Sequence, residues 1–437
     1  MTGIDQLFQA HLTQIQHTAD RALAATGGEA LVVAAGRLKY QFLDDRTEPF
    51  VASPHFRHWA PVLNAPGSLV LHRPGQKPSL FFHQPEDYWH KPPELPSGAW
   101  LEAFDVRILK RPDDAKGLLP SGAVYVGETF DGLETWGFKA LNPPTLLHML
   151  HYARAVKTPY ELACMREAAR RGARAHRAAS EAFEAGGSEY EIHLAYLAGS
   201  GHTESELPYA NIVALNEGGA VLHYTELGRD RPIERRSLLI DAGAQFRGYA
   251  SDITRTYAAE PGPFADLVAD MNMTEQALCA MVKPGVNYPD IHNAAHRMIG
   301  QLLVEHRLVR CSVDAAVESQ VTSVFFPHGI GHLLGLQVHD IGGHQSSELG
   351  ATQAPPEGHR YLRLTRRLEP GMVVTIEPGL YFIPLLLNEA RQDERRAMID
   401  WARVETLMPF GGVRIEDDVV ASLDGPENLS RDAFATL

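Results

Sequence analysis

Ile4, Leu7, Phe8, Leu12, Ile15, Ala19 and Leu23 recur at three- and four-residue spacings and stop at Gly27-Gly28, which predicts an amphipathic first helix closed by glycine. Short apolar runs at 30–34, 68–71, 79–82, 106–109 and 123–126 follow, divided by Pro/Gly-rich or helical stretches. They predict the strands of an α/β domain. After Asn142-Pro143-Pro144 a short helix leads to Thr158-Pro159-Tyr160-Glu161, where Thr caps, Pro suits the first turn and Glu completes a capping box. A second domain is therefore expected over 157–437, after an N-terminal domain over 1–156. Ser188-Glu189-Tyr190-Glu191 repeats the capping pattern, and helical periodicity returns at 264–282 and 288–309 before further β-like segments. Helix pair, strands, helix pair, strands suggests two related halves, without a clear residue repeat.

The chain has 437 residues, 44% hydrophobic and 22% charged, a balance that fits a globular protein of two or three domains and excludes a disordered or fibrous one. Its net charge of -14 disfavours nucleic acid and anionic membranes as partners and suits an enzyme acting on small molecules. Cys164, Cys279 and Cys311 are far apart, with no CxxC spacing, so they read as buried thiols rather than a disulfide framework or thiolate zinc site. No basic segment precedes an apolar core at the N-terminus, and no apolar run approaches the ~20 residues of a membrane span. A cytoplasmic location is expected.

Ser237-Leu238-Leu239-Ile240-Asp241 reads as a strand and Ser251-Asp252-Ile253-Thr254-Arg255-Thr256-Tyr257 as its return, with Gly248 in the connection. Asp241 and Asp252 are thus brought together. A metal ion would compensate carboxylates near a core, although two solvated or salt-bridged aspartates on a plain hairpin satisfy the same pattern. Residues 325–340 place His328, His332 and His339 in an apolar segment punctuated by glycines that permit close approach of the backbone to a ligand; one such histidine alone would read as a hydrogen-bonded core residue. Glu377 and Glu416 each follow β-branched residues, and each alone fits a strand emerging at the surface. Taken together, four carboxylates and an imidazole carry a charge of about -4, which balances two divalent cations.

With these residues in view, the chain resembles the pita-bread metallopeptidases, which include methionine aminopeptidase, Xaa-Pro aminopeptidase and prolidase. Asp241 and Asp252 in DAGA…SDITRTY, the second histidine of HGIGH, Glu377 in TIEPG and Glu416 in RIED match the family's five metal-ligand positions in order. The resemblance makes His332, not His328, the ligand, because His332 precedes His339 by the family's seven-residue spacing. Segments 41–45, 87–91 and 157–168 look like the bacterial prolidases that also hydrolyse organophosphorus acid anhydrides, so the likeness covers nearly the whole chain.

The fold so implied is an α/β N-terminal domain, assisting oligomerisation and pocket closure, followed by an α+β pita-bread (creatinase/aminopeptidase-like) catalytic domain. The resemblance also implies a dinuclear centre bridged by Asp252 and Glu416, with Asp241 completing one ion and His332 and Glu377 the other. Oxygen-rich ligands favour Mn²⁺, with Co²⁺ or Zn²⁺ able to substitute. Glu377 would relay a proton, while His223 and His339 would face the substrate, with His328 in a similar or supporting part. Arg363, fourteen residues before Glu377, matches the position proposed to clamp the proline carboxylate, and Arg414 is a second candidate. Either arginine also suits a structural ion pair. The expected activity is hydrolysis of Xaa-Pro dipeptides by a cytoplasmic homodimer. The alternatives are an Xaa-Pro aminopeptidase acting on longer peptides and a metal-free binding protein of the same fold, which the intact ligand set disfavours.

Overall fold

The computed structural model describes residues 3–437. It contains two compact units. The first comprises Met1–Cys164, Phe246–Tyr249 and Gln345–Thr352, and the second comprises Met165–Gln245, Ala250–His344 and Gln353–Leu437.

In the first unit, the helix Gly3–Thr26 buries Phe8, Leu12, Ile15, Ala19 and Leu23, the stripe expected from the periodicity. Six strands form one sheet in the order Asp105–Leu109, Ser79–His83, Leu69–His72, Leu31–Ala34, Val124–Val126, Ala140–Leu141. Leu31–Ala34 is central, antiparallel to Leu69–His72 and parallel to Val124–Val126. All four of its residues are buried, which is why it reads as a continuous apolar run instead of an alternation. The Thr158 capping box forms: Thr158 N–H donates to Glu161 Oε2 at 2.8 Å and Glu161 N–H to Thr158 Oγ1 at 3.3 Å.

In the second unit, residues 165–184 of the helix Pro159–Glu184 and the helix Glu189–Ser200 precede an antiparallel sheet of Thr254–Ala258, Ser237–Asp241 and Ile212–Leu215. Pro263–Cys279 and Tyr288–Glu305 precede a second antiparallel sheet of Val373–Ile376, Asp417–Val420 and Glu427–Asn428. Both of these later helices end before the periodicity does. Val282 and Leu308 are fully buried although they lie past the helix ends, and the second helix is left at Arg307, whose φ of 59° is left-handed. Apolar burial continued the pattern while the backbone turned away. A bridge between Thr254 and Glu416 joins the two sheets. No described helix is long and apolar enough to cross a membrane.

Candidate metal centre

Alternation along Ser237–Asp241 aims the first carboxylate. Leu238 and Ile240 pack on one face with Phe183, Ile192 and Tyr196, and Leu239 packs on the other with Ile212 and Tyr381. Asp241 shares the Leu239 face because side chains two residues apart point the same way. Its register partner across the sheet is Thr254, so Asp252 arrives just before the return strand begins. The Asp252 N–H is held by the Asp418 carboxylate, at 3.1 and 3.3 Å from its two oxygens.

His332 and Glu377 are set by a second antiparallel run. Leu334 N–H donates to Val373 O at 3.0 Å, Thr375 N–H to His332 O at 3.0 Å and Glu377 N–H to Ile330 O at 2.9 Å. Gly331 makes this approach possible: its φ is 151°, and a Cβ there would lie 2.2 Å from Thr375 O. Glu416 enters through the sheet-joining bridge, where its N–H donates to Thr254 O at 3.0 Å and the Thr254 hydroxyl donates to Glu416 Oε2 at 2.6 Å.

These pairings make the five side chains converge. Asp252, His332 and Glu416 present donor atoms within 4.8 Å of one another, and all three are buried. His332 Nε2 lies 3.5 Å from Asp252 Oδ2 and 3.7 Å from Glu377 Oε1, while its Nδ1 is 3.0 Å from Leu333 O. Donation from Nδ1 to that carbonyl leaves Nε2 free to ligate. Asp241 and Asp252 share the Tyr209 hydroxyl, at 2.8 and 2.5 Å.

The electrostatics fit cations. Burial, then crowding by Asp252, Glu377 and Asp241, holds Glu416 well above the carboxylate range. Burial, with Asp252 and Asp241 nearby, lifts Glu377 to about 7 against the opposing pull of His332 and Arg414. Asp241 is raised by burial in the same way. Asp252 goes the other way; burial would raise it, but contact with His332 holds it low. Carboxylates packed until they retain protons are ready to exchange them for divalent ions.

The five lie along a cavity of about 780 Å³. His223, His328, His339, Arg363 and Arg414 line it as well. His339 stacks edge-on to His332 with ring centroids 4.5 Å apart; burial, with His332 and Arg363 beside it, pulls it down to about 4. His328 Nε2 is 2.8 Å from the Tyr381 hydroxyl, and its Nδ1 is 3.6 Å from Glu377 Oε2. Arg414 is buried, with Nη2 on Asp241 at 2.6 Å, Nε on Thr254 at 3.1 Å and Nη1 on the Tyr381 hydroxyl at 3.0 Å. Arg363 is exposed in the cavity wall.

Residues 163–422 match metallopeptidase family M24, and residues 6–152 match the N-terminal domain of Xaa-Pro dipeptidase. The chain belongs to metallopeptidase family M24. The Xaa-Pro dipeptidase of Stenotrophomonas maltophilia is 48% identical over 433 residues, spanning 98% of this chain and 97% of that relative. The Xaa-Pro dipeptidase of Xanthomonas oryzae pv. oryzae is 48% identical over 437 residues, spanning 99% of each. Among solved structures, aminopeptidase P from Escherichia coli in its low pH form superposes with a TM-score of 0.73 at 24% identity, covering 98% of this chain and 95% of that one. At that identity the likeness speaks for the fold: an N-terminal domain followed by the pita-bread catalytic domain.

Three residues of this M24 site escaped the sequence reading: Tyr209, Thr254 and Tyr381. Tyr209 follows Leu207-Pro208 in a segment without periodicity, and nothing local marks it as a carboxylate partner. Thr254 lies inside the quoted SDITRTY run, but its hydroxyl bond to Glu416 spans 162 residues. Tyr381 ends the strand Gly379–Tyr381 just past the TIEPG motif, a position that could have drawn notice.

Proposed function

We propose that this M24 metallopeptidase is an Xaa-Pro dipeptidase, and that Asp241, Asp252, His332, Glu377 and Glu416 would hold two divalent ions. The observation that carries this reading is the convergence of four carboxylates and one imidazole in a cavity whose wall also bears Arg363. The bound ions would supply an activated water and an electrophile for the scissile carbonyl. Oxygen-rich donors favour Mn²⁺, with Co²⁺ or Zn²⁺ as substitutes.

A prolyl amide has no N–H, so a site that requires that donor handles it poorly, whereas this one asks only for the carbonyl and a fitting pocket. Glu377 accepts a proton and passes it to the leaving nitrogen. His223 and His339 donate to the developing oxyanion, and neutral His339 keeps one N–H for that purpose. Arg363 pairs with the free carboxylate of the dipeptide, while Arg414, already engaged on three sides by the protein, positions Asp241. The same centre would hydrolyse neutral organophosphorus esters or anhydrides as a side activity.

A homodimer is the proposed assembly; exposed Phe42, Leu43, Tyr88 and Trp89 on the first unit support an interface. Three free cysteines suit the proposed reducing cytoplasm.

The test is to strip and reload the enzyme with Mn²⁺, then compare Gly-Pro, Ala-Pro and Ala-Pro-Ala. Dipeptide hydrolysis should vanish on chelation and return with Mn²⁺, and the tripeptide should be a poor substrate. Equal turnover of Ala-Pro-Ala would identify an Xaa-Pro aminopeptidase instead.

A further inference from the structure

A second cluster of metal-ligating side chains lies outside this centre. His292 and His296 are four residues apart on the helix Tyr288–Glu305, so both face the same side, and both are buried, with 1% and 3% exposure. His359 reaches them from the loop that also carries Tyr361 and Arg363. The three rings form a nearly equilateral triangle with centroids 4.7, 4.6 and 4.6 Å apart, and one ring nitrogen from each lies within 4.8 Å of the others.

The hydrogen bonding is incomplete. His296 Nδ1 is satisfied by the Thr322 hydroxyl at 2.9 Å, while His296 Nε2 is buried with no partner. His292 Nε2 meets His359 Nδ1 at 2.9 Å, and His292 Nδ1 also lacks a partner. Orphan nitrogens this deep are unfavourable unless something binds them. Burial, followed by the other histidines, lowers His292 to about 2, and burial and then His359 lower His296 to about 3; burial lowers His359 too. All three rings are therefore neutral and able to ligate without first losing a proton.

We propose that His292, His296 and His359 form a separate mononuclear metal site, with one ring nitrogen from each as ligand, His296 Nε2 among them, and water in the fourth position. Three imidazoles with no carboxylate select Zn²⁺, or similar borderline ions, over the hard ions suited to the carboxylate centre. The Thr322 hydroxyl fixes the His296 ring, as partners of metal-bound histidines commonly do. Phe326 packs against His292, His296 and His328, with centroids 6.0, 5.1 and 4.7 Å away, and so separates this site from the histidine nearest Glu377. An ion here ties the loop of His359 to the helix, and with it the stretch Arg360 to Arg363 that lines the cavity. The site would thus steady the substrate wall without taking part in the chemistry.

The experiment uses full-length Asp252→Asn/Glu416→Gln protein, in which the carboxylate centre is disabled, so its outcome is independent of the peptidase reading. Metal-free protein is titrated with Zn²⁺, with Mn²⁺ as control, and bound metal is measured after dialysis. One Zn²⁺ per chain and no Mn²⁺ is expected at this site, and Co²⁺ in its place should show the intense visible bands of four-coordinate cobalt. Adding His359→Ala, at a half-buried position, should weaken Zn²⁺ binding by on the order of a hundredfold or more and abolish the cobalt bands. His296→Asn should do the same. Absence of zinc from the parent, or unchanged zinc in the folded His359→Ala protein, would overturn the proposal.

Discussion

Arg414 Nη2 donates to Asp241 Oδ2 at 2.6 Å across 173 residues of sequence, so the first of the carboxylates has a built-in counter-charge even before any cation arrives. Arg414 is buried and Asp241 largely so, with side-chain exposures of 5% and 15%, and removal of one partner leaves an uncompensated charge. Arg414→Ala should therefore destabilise the metal-free enzyme by about 3–5 kcal/mol and the Mn²⁺-loaded enzyme by distinctly less, because an ion takes over the neutralisation. Urea unfolding with and without metal measures both. Identical losses would show that Arg414 serves the fold alone.

His332 and His339 are separable. His332 lies among the carboxylates, whereas His339 contacts its ring edge and lines the cavity. His332→Ala should lose bound metal and activity together, while His339→Ala should keep its metal and lose turnover, by on the order of a hundred- to ten-thousandfold if it serves as proton donor. Elemental analysis beside kcat decides this. Metal loss from His339→Ala with retention in His332→Ala would reverse the ligand assignment.

In the proposed function, Arg363 carries the dipeptide preference. Its guanidinium should pair with the free carboxylate of Xaa-Pro, so Arg363→Ala should lower kcat/KM for Ala-Pro roughly ten- to a hundredfold and leave Ala-Pro amide or a neutral organophosphorus ester much less affected. Arg363→Lys should recover only part, since an ammonium cannot form the two-bond fork. Equal losses on every substrate would assign Arg363 to structure.

The pH dependence of metal uptake follows from Glu377. In the metal-free site burial and neighbouring carboxylates lift its pKa from 4.5 to about 7, so at pH 6 it holds a proton that an incoming cation must displace. Mn²⁺ binding should release protons at pH 6, release fewer at pH 8, and tighten as pH rises through 7. Calorimetric titration in two buffers of different ionisation enthalpy counts the protons. Glu377→Gln should remove part of that release; no release at pH 6 would mean that the carboxylates are already ionised.

Local chemistry made much of this protein legible from the chain. The helix Gly3–Thr26, the strands around 31–34, 69–72, 79–83, 105–109 and 124–126, and the Ser188 and Thr158 caps depend on contacts within a few residues, and periodicity and capping record such contacts directly. The acidic and imidazole residues of the cavity were legible for a related reason: each sits in a short motif whose glycines and β-branched residues are demanded by the backbone that carries it, as Gly331 is by Thr375. Only the tertiary structure decided which distant groups answer them. The Tyr209 hydroxyl between two aspartates, Arg414 on Asp241 and Thr254 on Glu416 are pairings across 32 to 173 residues, created where two sheets join. His359, 67 residues from His292, meets it by the same means. Periodicity reports which side of an element is buried; which partner waits there depends on chain crossings that leave no period in the sequence.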